Sequence, residues 1–82
     1  MFHVDWQPSA LDDLAAICLD NPHRWNDIDG AENDVDYKLR KNPVHFSQPV
    51  AEELRRILSH PIAVYFSIAD NQISVEGVGW LD

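Results

Sequence analysis

The chain is short of several things, and each shortage narrows what it can be. It has one cysteine, Cys18. No internal disulfide can form, and a reducing cytoplasm is the expected location. Cys18 lies in an apolar helical pattern, where a buried thiol acts as a small apolar side chain. No apolar run approaches the roughly 20 residues of a membrane helix. The opening residues, MFHVDWQPSALDD, hold no basic stretch followed by an apolar one, so no secretory signal is expected. There are three glycines and no Gly-rich phosphate loop. The four histidines, His3, His23, His45 and His60, stand far apart without paired ligand spacing, so neither a metal nor a cofactor is expected. Bases are scarce, six Lys and Arg against 14 Asp and Glu for a net charge of −8. That balance does not favour strong non-specific binding to nucleic acid.

What is present fits one domain spanning residues 1–82, with a modest core. The charge is unevenly spread. Residues 1–36 carry nine acids and only Arg24, whereas residues 37–61 carry Lys38, Arg40, Lys41, Arg55 and Arg56 against Glu52 and Glu53. An acidic molecule with one basic stretch is the simplest description, and helix-dipole complementation with solvated side chains accounts for much of it.

Phe2, Val4 and Trp6 alternate with His3 and Asp5, which predicts a half-buried strand. Pro8 ends it. Ser9 is a candidate N-cap, with Asp12 and Asp13 in the first turn. Leu11, Leu14, Ile17 and Cys18 then recur at helical spacing and predict a first helix ending near residues 20–22. WNDIDGAENDVDYKLRKNP predicts a second helix, with Ile28, Ala31, Val35 and Leu39 as its apolar stripe and Asn42-Pro43 as its stop. VHFSQPVA reads as a loop. PVAEELRRILSH is ambiguous: Pro49 at the first helical position, early glutamates and late arginines suit a helix, while the alternating residues downstream of it suit a strand entering a meander. In PIAVYFSIA, Ile62, Val64, Phe66 and Ile68 share one face, with Ala63, Tyr65 and Ser67 on the other. Asp70-Asn71 is a tight-turn signal, and QISVEGVGW pairs back to complete a hairpin.

Three stretches together resemble the RelE/ParE superfamily of type II toxins: W-x-P-x-A-L-x-D-L-A-x-I near the start, L-x-x-N-P closing helix two, and L-R-x-x-x-x-x-P-I-A-V-Y-F-x-I-x-x-x-x-I-x-V-x-x-V. The resemblance spans nearly the whole chain and rests on order and spacing. It implies an α+β, RelE-like fold: an N-terminal strand, a two-helix hairpin, then a C-terminal antiparallel sheet covered by the helices on one face. It therefore implies a strand over residues 54–59. It also implies a small cognate antitoxin as partner, and either ribosome-dependent messenger-RNA cleavage or inhibition of DNA gyrase as activity; from the short apolar runs, no membrane partner is expected.

RelE-like cleavage needs an activated 2′-hydroxyl and stabilised charge on the scissile phosphate, which cationic side chains on an open sheet face would supply. The resemblance nominates Arg55, with Arg56 and Tyr65 as further catalytic candidates. In a strand the two arginines face opposite ways, so only one shares a face with Tyr65. Phe46 and Trp80 are candidate partner anchors, since aromatics dominate such contacts. Many relatives place further basic or histidine residues on the last strands, where this chain has Ser67, Glu76 and Gly77. The alternative expectation is therefore an interaction module that kept the fold and lost catalysis.

Overall fold

The computed structural model describes residues 1–82. Strand β1 (His3–Trp6) leads into helix α1 (Pro8–Asp20), a 3₁₀ turn (Pro22–Arg24) and helix α2 (Trp25–Lys41). Strands β2 (Gln48–Ala51), β3 (Leu54–Ser59), β4 (Ile62–Ala69) and β5 (Gln72–Trp80) complete the chain. The sheet runs β1-β5-β4-β3-β2. It is mixed: β1 pairs parallel to β5 and every other pair is antiparallel. The expected α+β class with two helices is thus observed, and two details differ. The sheet is not wholly antiparallel, and it has a strand, β2, where a loop was expected.

Both differences have local causes. β1 joins beside β5 because that register continues apolar rows across the sheet: Val4 stands opposite Ile73 and Trp6 opposite Val75. β2 forms because the residue before a proline is held extended, and Gln48 and Pro49 pair with Arg56 and Arg55. The reversal into β3 places Glu53 at φ 61, in the left-handed region. The helical signals of residues 49–60 lose to sheet pairing. As a strand, Ile57 is 1% exposed while its neighbour Leu58 is left 49% exposed on the other face.

The core lies between the two helices and one sheet face. Ile57, Ile62, Val64, Phe66, Ile73, Val75 and Val78 meet Ala10 of α1 and Ala31, Val35 and Leu39 of α2. All four stripe residues of α2 are buried, and Lys38, Arg40 and Lys41 occupy its last turn. A shift in register between β4 and β5 leaves Glu76 as an extra residue, since Phe66 pairs with Val75 and Tyr65 with Gly77. This bulge lets Val75 and Val78, three residues apart, both enter the core.

β1 covers only the first part of β5, Gln72 to Val75. Beyond it, α1 takes over the edge. The Gln7 N–H donates to the Val75 carbonyl at 3.0 Å. Ser9 Oγ donates to the Glu76 carbonyl at 2.8 Å, and the Val78 N–H donates to Asp13 Oδ2 at 3.0 Å. Gly77 leaves room for this approach: a Cβ there would lie 3.2 Å from the same oxygen. Ser9 is therefore not the N-cap. Gln7 holds that position, Pro8 opens the helix, and Asp12 and Asp13 lie past its first turn.

Asp13→Ala removes the acceptor for an edge N–H, and a loss of about 1 kcal/mol in unfolding free energy is expected. Asp12→Ala, at an exposed neighbour, is expected to stay within about 0.5 kcal/mol of the parent. Urea melts of the two variants check the difference.

Candidate functional site

The sheet face away from the helices is open, and the registers fix what lies on it. One row across the strands is Gln48, Arg56, Tyr65 and Gly77. A second is Ser67, Ser74 and Asp5, and a third Ala69, Gln72 and His3. Arg56, not Arg55, thus shares a face with Tyr65. Tyr65 is half-buried. Its Cε2 lies 3.6 Å from where a Cβ of Gly79 would be, an ordinary contact distance, so the ring lies along that part of β5. Ser67 Oγ donates to Glu76 Oε2 at 3.0 Å, and Gln7 Nε2 donates to Asp5 Oδ2 at 3.0 Å. Arg56 Nε is buried and makes no hydrogen bond. The face joins one guanidinium to two carboxylates and several hydroxyls. That mixture is a weaker attractor of polyanions than a surface of unopposed cations.

Arg55 pairs with Phe66 and so points to the helix side. There its fork holds the loop between α2 and β2. Nε donates to Ser47 Oγ at 2.8 Å, and Nη2 donates to the carbonyls of Ser47 at 3.2 Å and Val44 at 3.4 Å. It also borders a groove of about 320 Å³ lined with Val44, Pro49, Leu54 and Ile68. The two arginines therefore do different work: one organises a loop, and the other stands on the open face.

Phe46 is 40% exposed on that loop, with the His45 ring edge-on at 4.9 Å and Lys38 Nζ 5.4 Å from its centroid. Trp80 is half-buried and packs against the core, and the Arg24 guanidinium lies 5.4 Å from its ring centre. Arg24 also binds Asp27 at 2.8 Å and Asp82 at 2.6 Å, while His60 Nε2 meets the other Asp82 oxygen. The hydrogen bond to Asp82, then that to Asp27, raises the Arg24 pKa, and the bond to Arg24 lowers that of Asp82. Trp80 thus rests on the core beside the Arg24 guanidinium, and Phe46 is partly exposed on its loop.

Sequence reasoning missed the edge contacts of Ser9 and Asp13, and it put Leu11 in one helical pattern with Leu14, Ile17 and Cys18, whereas Leu11 is 51% exposed. A second spacing of four, Leu11–Ala15–Leu19, was the readable signal. On α2, Glu32 has a raised pKa, first from burial and then from Asp29 and Asp36. Asp34 is lowered, chiefly by its hydrogen bond to Lys38. No group of three or more His, Cys, Asp or Glu is placed to hold a metal, and no helix is long and apolar enough to cross a membrane.

These features define a small α+β protein with two helices on one face of a five-stranded mixed sheet. Its fold is similar to the solution structure of the conserved hypothetical protein HP0894 from Helicobacter pylori. The two are 17% identical, with 98% of this chain and 94% of that chain covered at a TM-score of 0.64. At that identity the likeness is one of fold. No family model and no curated protein matches the sequence.

Arg55→Ala frees the loop and leaves two carbonyls short of a donor, so a loss of about 1–3 kcal/mol is expected in urea melts. Arg55→Lys is expected to recover only part of it, because an ammonium lacks the planar fork. Glu32 carries a distinct pH signature. Its folded pKa is raised, so the folded state holds the proton more tightly than the unfolded one. Its contribution to stability falls as pH rises through the carboxylate range and stays low at neutrality. Glu32→Gln is expected to raise the melting temperature at about pH 7, with the gain shrinking towards about pH 3.5.

Proposed function

We propose that this chain is the toxin-like component of a type II toxin–antitoxin system, whose first act is to bind a small cognate antitoxin. The strand at Leu54–Ser59 carries this reading. Local signals there favour a helix, and the RelE/ParE resemblance requires a strand. The fold likeness over 98% of the chain adds weight to it. Messenger-RNA cleavage on the ribosome and inhibition of DNA gyrase are the two activities such a component would have. In the first, Arg56 and Tyr65 would face the phosphate, and Arg55 would act by holding the neighbouring loop.

A second reading is favoured by how the bases are used. Arg24, Lys38 and Arg40 are held by aspartates, and Arg55 by a loop. Few cations remain for a phosphate backbone, which suits an interaction module that kept the fold without the chemistry.

Induced expression alone, and again with the adjacent small open reading frame, separates the readings. Growth arrest relieved by a co-purifying partner is the expected result. Co-purification without arrest favours the module, and neither arrest nor a partner sinks both. If messenger-RNA ends accumulate on induction, Arg56→Ala is expected to remove them at unchanged thermal stability.

A further inference from the structure

Helix α1 is pinned on one side to the β5 edge through Ser9 and Asp13, and Ala10 is buried in the core. Another side carries Leu11, Ala15 and Leu19 at successive intervals of four, one line along the helix. Leu11 is 51% exposed, Leu19 is 76% exposed, and Ala15 is exposed too. Trp25, 55% exposed, is fixed at the end of this helix, because its indole Nε1–H donates to the Cys18 carbonyl at 2.6 Å. None of these side chains belongs to the core cluster. Two exposed leucines and a tryptophan on one helix and its exit make a patch of the kind that marks an interaction surface.

Charge selects the occupant. The segment from Pro8 to Glu32 carries Asp12, Asp13, Asp20, Asp27, Asp29 and Glu32 against Arg24 alone. Arg24 is already held by Asp27 and Asp82. A second copy of this chain would bring like charge against like, which opposes association. A strand has nothing to pair with on a helix whose backbone groups are bonded internally. From Leu11 to Leu19 the line runs about 12 Å at 1.5 Å per residue, a length that one helix laid along another would cover.

We propose that the Leu11–Ala15–Leu19 line of α1, together with Trp25, is a docking surface for a basic amphipathic helix of a partner protein. Its apolar anchors pack on the leucines and the indole, and its lysines and arginines meet the flanking aspartates. The proposal rests on the partner-binding half of the function proposed above and specifies the partner's chemistry: its binding segment is cationic.

Two synthetic helical peptides with the same leucine stripe test it, one with lysine and arginine flanks and the other with glutamate flanks. Each is titrated into the full chain and followed by NMR shifts of the backbone amides and of the Trp25 indole N–H. The cationic peptide is expected to shift residues 11–25 and to bind more weakly as salt rises. The double variant Leu11→Gln, Leu19→Gln is expected to weaken it about tenfold or more, with an unchanged circular dichroism spectrum because both sites are exposed. Equal binding of the glutamate peptide, shifts elsewhere, no binding of either peptide or full binding by the variant would each overturn the proposal. So would self-association of the chain alone through these residues in sedimentation. A non-toxic chain that binds the cationic helix keeps this surface and sinks the toxin reading. A toxic chain that ignores both peptides does the reverse.

Discussion

The arrangement depends on how one strand edge is closed. β5 is nine residues long, and β1 is four. More than half of β5 would otherwise present unpaired backbone groups, an invitation to aggregate. The chain closes that edge with the segment that leaves it. Gln7 continues the β1 pairing by one bond, Ser9 bonds the bulge carbonyl, and Asp13 accepts from Val78. Because these contacts come from the first turns of α1, they set where that helix lies. They also commit Ser9 and Asp13 to the sheet and turn the Leu11–Leu19 line away from it.

The same bulge sets the sheet's chemistry. Without the extra residue at Glu76, strict alternation would send Gly77 inward with Val75 and leave Val78 outside. The bulge brings Val78 into the core and gives Tyr65 two glycines to face on β5, one opposite and one diagonal. It also holds the Glu76 carboxylate within reach of Ser67. One inserted residue thus completes the core and puts an acid beside the open face.

Much of this was legible in the residues. The stripe of α2, the β4–β5 hairpin and the Asp70-Asn71 turn follow from periodicities that sheet and helix packing reinforce. The segment from residue 49 was harder, because Pro49, the glutamates and the arginines give consistent helical signals. Pairing of the whole strand with β4 on one side and β2 on the other, which buries Ile57 opposite Val64, overrides them. The parallel seat of β1 could not be read from alternation, which says which face is buried but not which neighbour is chosen. At the site, alternation required Arg55 and Arg56 to part, but which one joined Tyr65 depended on register. The ion pair beside Trp80 joins Arg24 to Asp82, 58 residues apart, and no local pattern announces it.

Charge ties these observations together. The sequence looks acidic with a basic middle, but folding spends most of the bases inside the molecule. Lys38 and Arg40 pair with Asp34 and Asp36 one turn earlier on α2, and Lys41 lies 5.4 Å from the Tyr37 ring centre. Arg55 holds carbonyls, and Arg24 closes the chain end. Each exposed pair contributes little to stability, yet together they remove cations from the outward field. Asp12, Asp20 and Asp29 enter no such pair and stay exposed. The bases of the middle stretch are thus largely matched within the molecule, whereas α1 carries unpaired aspartates together with exposed apolar side chains. A partner gains there from burying the leucines only if its own charge is positive. The internal pairing that satisfies the fold thereby sets the sign of what can bind it.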